Sequence, residues 1–178
     1  MKKYILLILS IIMAFYVYSN AKAEESIIPD EAIRFRIIAN SNTMYDQNIK
    51  LQVRNVVQNK VLSLLKDVKT IDETRNIIKN NMDELNKVVQ DELQKLEYDK
   101  DFTINYGYNY FPEKKYKGIK YDEGEYESLV IKLGDAKGDN FWCVLFPPLC
   151  LVEVEEDNTN DAEYTFFIKE LINSYISK

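Results

Sequence analysis

Histidine is absent from all 178 residues. That removes imidazole acid–base catalysis, Ser-His and Cys-His dyads, and every histidine-containing zinc site. Two cysteines are too few for a four-thiolate zinc or iron–sulfur centre in one chain. Glycine, with 5 copies, and proline, with 4, are too scarce for a collagen-like rod or a flexible-linker architecture. Net positive charge is missing as well. Lys and Arg number 23 against 29 Asp and Glu, a formal charge of -6 with an isoelectric point near 4.9, the wrong sign for embracing nucleic acid. What remains is a globular composition, 46% hydrophobic and 29% charged, in a length suited to one domain. Tyrosine is the abundant aromatic, with 13 copies.

The first residues read as an export signal. Met1-Lys2-Lys3 is a short positive stretch, and Tyr4 to Tyr18 is an almost unbroken apolar run. That run is shorter than the roughly 20 residues a spanning helix needs. Ala21-Lys22-Ala23 supplies the small-x-small pattern of a signal peptidase site. Residues 1–23 are therefore expected to be a cleaved signal peptide and 24–178 a single domain, an uncleaved anchor being the alternative. A buried N-terminal helix fits poorly, because the segment has no polar face. Without Lys2, Lys3 and Lys22 the basic count falls from 23 to 20 while the acidic count stays at 29, giving -9. Such a domain is repelled by anionic lipid headgroups, so its partner is expected to be a protein.

Ile33-Arg34-Phe35-Arg36-Ile37-Ile38 alternates as a strand does, with Ile33, Phe35 and Ile37 inward and Arg34 and Arg36 about 7 Å apart on the other face. Ala39 to Thr43 is a turn rich in capping residues, and Ile49, Val53, Val56, Val57, Val61, Leu64 and Leu65 follow helical spacing to about Val68. Thr70-Ile71-Asp72-Glu73 has the form of a capping box, opening a second long helix with Ile78, Met82, Leu85, Val89, Leu93 and Leu96 as its stripe. The short connection predicts an antiparallel helical hairpin. From Asp101 the pattern turns to strands. Phe102 to Tyr106 alternates, and Tyr108, Tyr110 and Phe111 continue as an aromatic run ending at Pro112. Strands follow at Glu127–Leu133, Phe141–Phe146 and Leu149–Val154, with an exposed loop at Glu113–Glu125 and a final helix at Asp161–Ile176. The order predicts an α+β domain: a strand, a helical hairpin, an antiparallel sheet with a Pro147-Pro148-tipped hairpin, and a C-terminal helix.

Few residues carry chemistry. Pairing the two arms about Phe146-Pro147 sets Cys143 opposite Cys150, where modest adjustment permits a disulfide; two reduced, buried thiols are the alternative. The acidic runs Asp122–Glu125 and Glu153–Asp157 fit neither a calcium loop nor another metal site, and read as solvated loops. Tyr98, Tyr106, Tyr108, Tyr110, Tyr116, Tyr121 and Tyr126 either cover a sheet face or mark a binding surface. Arg34, Arg36, Asn40, Asp46, Lys50 and Arg54 form a polar constellation, with Asp46, Lys50 and Arg54 along one helix face. It reads either as a salt-bridge ladder or as a recognition surface. A wall hydrolase using Glu123, Glu125 or Glu127, or a glycan-binding module built on the tyrosines, are the alternatives drawn from other function classes.

Two stretches carry a resemblance. Arg34 to Asn42, with Asp46-Gln47, Lys50 and Arg54, resembles the opening of the stage II sporulation protein R family. Gly124 to Gly134 and Asn140 to Cys150, including Trp142-Cys143 and Phe146-Pro147-Pro148-Leu149-Cys150, look like that family's most recognisable run. The resemblance implies a protein made in the forespore and secreted into the space between forespore and mother cell. There it would activate a membrane-embedded aspartic protease that cleaves the precursor of the early mother-cell sigma factor. It implies a non-catalytic activator with no cofactor, metal, nucleic acid or small-molecule substrate. Arg34, Arg36, Asn40, Asp46 and Arg54, with Trp142, Phe146, Pro147 and Pro148, are then the expected contact residues for the protease's extracytoplasmic face.

Overall fold

The computed structural model describes residues 31–116 and 119–151, with positions 4, 11, 13, 170, 172 and 173. Strand β1 (Ile33–Ile38) forms where the alternation places it, and Ile33, Phe35 and Ile37 are wholly buried on one face. Thr43 then caps helix α1 (Met44–Leu65), its hydroxyl accepting from the Asp46 N–H. The apolar stripe Ile49, Val53, Val57, Val61 and Leu65 faces the core.

The capping box at Thr70 and Glu73 is formed in both directions and opens α2 (Ile71–Asn80). Here the structure departs from the single long helix expected: α3 (Met82–Lys95) starts afresh after Asn81. The Asn81 side chain donates to the Ile77 carbonyl at 2.7 Å, so a side chain competes with the backbone ladder and the helical path breaks. The apolar stripe survives the break, because Ile78, Leu85, Val89 and Leu93 are all buried in the main core. Helix α1 packs against α3, which is the helical layer of the domain.

Strands β2 (Phe102–Phe111), β5 (Gly124–Leu133) and β6 (Asn140–Phe146) join β1 in the order β2-β5-β1-β6. The sheet is mixed rather than antiparallel as expected. β1 runs parallel to β5, with Arg36 beside Val130, and antiparallel to β6, with Arg36 beside Trp142. Parallel neighbours need a long crossover, and the helices between β1 and β5 supply it. One sheet face, with Phe35, Ile37, Leu129, Ile131 and Leu133, closes the main core against the helices.

Two further expectations are corrected. Within Glu113–Glu125, β3 (Lys114–Tyr116) and β4 (Ile119–Tyr121) pair antiparallel instead of forming a loop. The Pro-Pro-tipped hairpin does not form either. β6 spends its hydrogen bonds on β1, and Leu149–Leu151 is a 3-10 turn in which the Leu149 N–H donates to the Pro147 carbonyl at 2.7 Å. Prolines lack the N–H that a second ladder would require. The Cys143–Cys150 disulfide is present, but it ties a strand to that turn, with the Cα atoms 5.7 Å apart. Residues 152–154 of the expected second arm lie outside the described residues. The C-terminal helix is described only at Glu170, Ile172 and Asn173, all helical; Ile172 is buried beside Ala32 and Val144. Among the described residues no helix is long and apolar enough to cross a membrane.

Candidate functional site

The turn after β1 is a closed polar knot. Asp46, buried in the first turn of α1, accepts at one carboxylate oxygen from Asn40 at 2.8 Å, from Thr43 at 3.2 Å and from the Ser41 hydroxyl. Burial alone would raise its pKa, yet the bonds from Ser41, Asn40 and Thr43, with the Lys100 charge, hold the carboxyl below its ordinary value. Asn40 also accepts from the Asp135 N–H at 2.9 Å, and its carbonyl from the Lys137 N–H at 3.1 Å. The loop 134–139 presses so closely on this turn that a Cβ on Gly134 would strike the Asn40 side chain, and one on Gly138 the Ser41 carbonyl. Gly134 also sits at φ +52, where glycine is favoured. Asn40 and Asp46 are therefore spent on joining β1, α1 and the loop before β6.

Arg34 lies on the face expected, but that face is covered. It is 3% exposed, with its guanidinium 3.2 Å from the Tyr126 ring centroid and 5.7 Å from that of Phe111. Phe111 and Tyr126 come from β2 and β5, meet edge to face, and form a second small core with Val130 and Trp142. As an exposed contact residue Arg34 is thus corrected: its charge supports the sheet from within. Arg36, two residues on, is half-buried. It donates to Asn140 and to the Tyr110 carbonyl, each at 3.1 Å, and lies 5.4 Å from the Phe111 ring and 5.5 Å from the Trp142 ring. Burial lowers its pKa from an already high value, leaving it a cation.

Around the start of β6 further cations gather. The Lys114 ammonium lies 4.9 Å from the Trp142 ring, and the Arg54 guanidinium 5.3 Å from the Phe141 ring. Lys50, buried to 7% exposure, donates to the Asp139 carbonyl at 3.1 Å and to Gln47. A cleft of about 360 Å³ opens here, lined by Pro112, Glu113, Lys114, Asp139, Asn140 and Trp142. So Arg36 and Trp142 are brought together, Arg54 lies over Phe141 on the other face of β6, and Phe146, Pro147 and Pro148 are not a projecting tip. Pro147 is buried and Phe146 packs on the main core.

Two of the three carboxylates proposed for hydrolysis are otherwise occupied. Glu127 is buried, accepting from Arg75 at 2.8 Å and from the Tyr106 hydroxyl at 2.8 Å, and Glu123 accepts from Tyr110. Among the described residues no group of three or more Cys, Asp or Glu is placed to hold a metal ion. The tyrosines divide: Tyr126 is buried, Tyr106 is committed to Glu127, and Tyr108 and Tyr110 are 74% and 53% exposed. Ala21 and Ala23 lie outside the described residues.

Residues 29–156 match the family model described as stage II sporulation protein R. The chain belongs to this family. Stage II sporulation protein R of Bacillus subtilis (strain 168) is 37% identical over 127 residues, covering 71% of this chain and 57% of that relative. The matched part thus spans little more than half of the relative's length. No solved structure matches. Both the family and this relative are named for stage II of sporulation.

Both signature stretches of this sporulation protein fall within the matched residues, and the sheet sets them side by side, Arg36 against Trp142. Lys114 escaped the sequence reading because it sat in what looked like a solvated loop. The signal for it was Lys114-Lys115 directly after the aromatic run ending Phe111-Pro112.

Proposed function

We propose that this member of the stage II sporulation protein R family is a secreted, non-catalytic signal that activates a membrane-embedded aspartic protease from its extracytoplasmic side. In this reading the chain acts in the space between forespore and mother cell, and the protease then processes the early mother-cell sigma-factor precursor. The observation that carries the reading is the family match across residues 29–156. The geometry is compatible with it: the described residues present a cleft of mixed charge beside Trp142, while the candidate hydrolytic carboxylate Glu127 is locked into an ion pair. Activation follows from differential affinity, the signal binding the active arrangement of the protease more tightly than the inactive one.

The test is reconstitution in a non-sporulating host that makes the full chain, the membrane protease and the sigma precursor. Precursor cleavage on a blot, dependent on this chain and on residues 1–23, is the expected result. Detectable chain and functional protease without cleavage would overturn the reading.

A further inference from the structure

The sheet ends in two edge strands, and the chain treats them differently. At β6 the chain turns back: Leu149–Leu151 packs beside the strand, a disulfide ties that turn to Cys143, and Ile172 is buried against Val144. At β2 no described strand pairs with the outer side. Its ten residues, Phe102–Phe111, hold no charge and no proline. Natural sheets blunt an exposed edge with lysine, proline or a short strand, because its free N–H and C=O groups are a template for pairing with another chain. None of these devices is built into β2, and Tyr108 and Tyr110 stand 74% and 53% exposed on it. A second observation is independent of exposure. About Gly107 the strand is a local palindrome, since Asn105-Tyr106-Gly107-Tyr108-Asn109 has the same order in both directions.

We infer that β2 is a self-recognition edge, pairing antiparallel with β2 of a second copy about a two-fold axis at Gly107. Such an axis, normal to the sheet, sets residues equally far before and after Gly107 against one another and keeps every side chain on its own face. Tyr106 then lies opposite Tyr108 of the second copy, Asn105 opposite Asn109, and Ile104 opposite Tyr110, each contact made twice. The tyrosine pairs fall on the helix side of the sheet, where Ile104 and Tyr106 already pack on the main core. Aromatic residues directly opposite are among the favourable cross-strand pairs, and the exposed Tyr108 ring gains a neighbour it lacks in the single chain. Charge selects the occupant. Two copies of a chain with formal charge -6 repel each other, and β2 is a stretch where they meet without opposing like charges inside the ladder. The contact is isologous, so it consumes the edge of both copies and closes at a dimer, joining two four-stranded sheets into one. A single strand pair is small beside permanent interfaces, which puts the expected dissociation constant on the order of 10 μM. The inference is independent of the protease reading.

The test is sedimentation equilibrium on the chain expressed from all 178 residues, at concentrations from about 2 to 200 μM. A monomer–dimer equilibrium is expected, with no larger species, and it should tighten as salt screens the two acidic copies. Tyr108→Lys places on the edge the residue that natural sheets use to block pairing, beside Glu127 of its own β5. It should raise the dissociation constant at least about tenfold and leave the melting curve in place. If that variant does not melt cooperatively, Tyr108→Thr is measured instead. It keeps a strand-forming residue, removes the ring, and should weaken the dimer about fivefold. Cross-linking then reads the register. The two native cysteines are bonded to each other, so an added thiol is free to report. Asn105→Cys and Asn109→Cys chains, mixed and oxidised with copper phenanthroline, should cross-link to each other far more than either does to itself. A monomer at the highest concentration, species beyond the dimer, a dimer that the Tyr108 variants leave unmoved, or self-cross-linking as strong as the mixed reaction would each overturn the inference. Association through the apolar residues 4–18 would survive the Tyr108 changes, and so counts against it.

Discussion

Arg75, on α2, ends between two carboxylates, Asp72 at 2.7 Å and Glu127 at 2.8 Å, whereas Arg36, on β1, ends among rings and carbonyl oxygens. Both cations lie against the same sheet. The hydrogen bond to Glu127, followed by that to Asp72, raises the pKa of Arg75, while burial lowers that of Arg36. The difference separates a cation paired with carboxylates from one held by rings and neutral oxygens. Tyr106 completes the first cluster through Glu127, and its own hydroxyl is pushed up by burial and by that carboxylate. At the second cluster Lys50, Arg54 and Lys114 form no ion pair among the described residues, although the Asp139 charge pulls on Lys50 and Glu113 stands beside Lys114 in the cleft wall.

Arg34 is the sharpest test of that contrast, since it belongs to the second cluster by sequence and to the core by position. Arg34→Glu places a carboxylate under the face of Tyr126, where the ring's negative quadrupole repels it and water is excluded. A loss of about 4 kcal/mol is expected, which takes most of the margin from a domain near the low end of ordinary stability and moves the urea midpoint far down. Arg36→Glu, half-buried and next to the cleft, should keep its transition; equal collapse of both variants would erase the distinction between the two arginines.

Asp46 comes next in expected size. Asp46→Asn removes the charge that three side chains converge on, at a cost of about 2 kcal/mol near neutral pH. The sign of its pH dependence follows from its lowered pKa. Unfolded, the carboxyl takes up its proton near the ordinary value of 3.8; folded, it does so only at lower pH. The stabilisation is present above that ordinary value and is lost as pH falls through the folded pKa, because the unfolded chain binds the proton first. Urea midpoints measured from neutral into strongly acid solution should therefore fall less steeply for Asp46→Asn than for the parent chain.

Glu127→Gln should cost about 1.5 kcal/mol, a value discounted because the Arg75 side chain keeps 29% of its surface in solvent. If instead the urea midpoint is unchanged, the Arg75 cluster is no more structural than the cleft, and the contrast drawn between them fails.

How far the sequence anticipates this arrangement depends on how local each feature is. β1, the Thr43 cap and the Thr70–Glu73 box are written in a few adjacent residues, and all three form. The break at Asn81 hides because the apolar stripe continues through it, from Ile78 to Leu85. Alternation told which face Arg34 takes but not that Phe111 and Tyr126, from strands far along the chain, would cover it. The Pro147-Pro148 pair looked like a hairpin tip because it flanks two apolar runs. That β6 would prefer β1 is a long-range choice which no local pattern records. The cystine was legible for the wrong reason, since Cys143 and Cys150 meet across a strand and a turn instead of across two strands.

The smallest expected effect closes the comparison. Lys114→Gln should leave the urea midpoint within about 0.5 kcal/mol of the parent, since its described contact is one cation–π approach to Trp142 at a partly exposed site. Relieving the repulsion that Lys50 feels from Lys114 offsets part even of that loss. A charge whose removal costs the fold almost nothing is one the fold does not need, and that is what distinguishes Lys114 from Arg75. Should Lys114→Gln instead cost as much as Glu127→Gln, Lys114 is holding β3 onto the Trp142 ring as a structural cation.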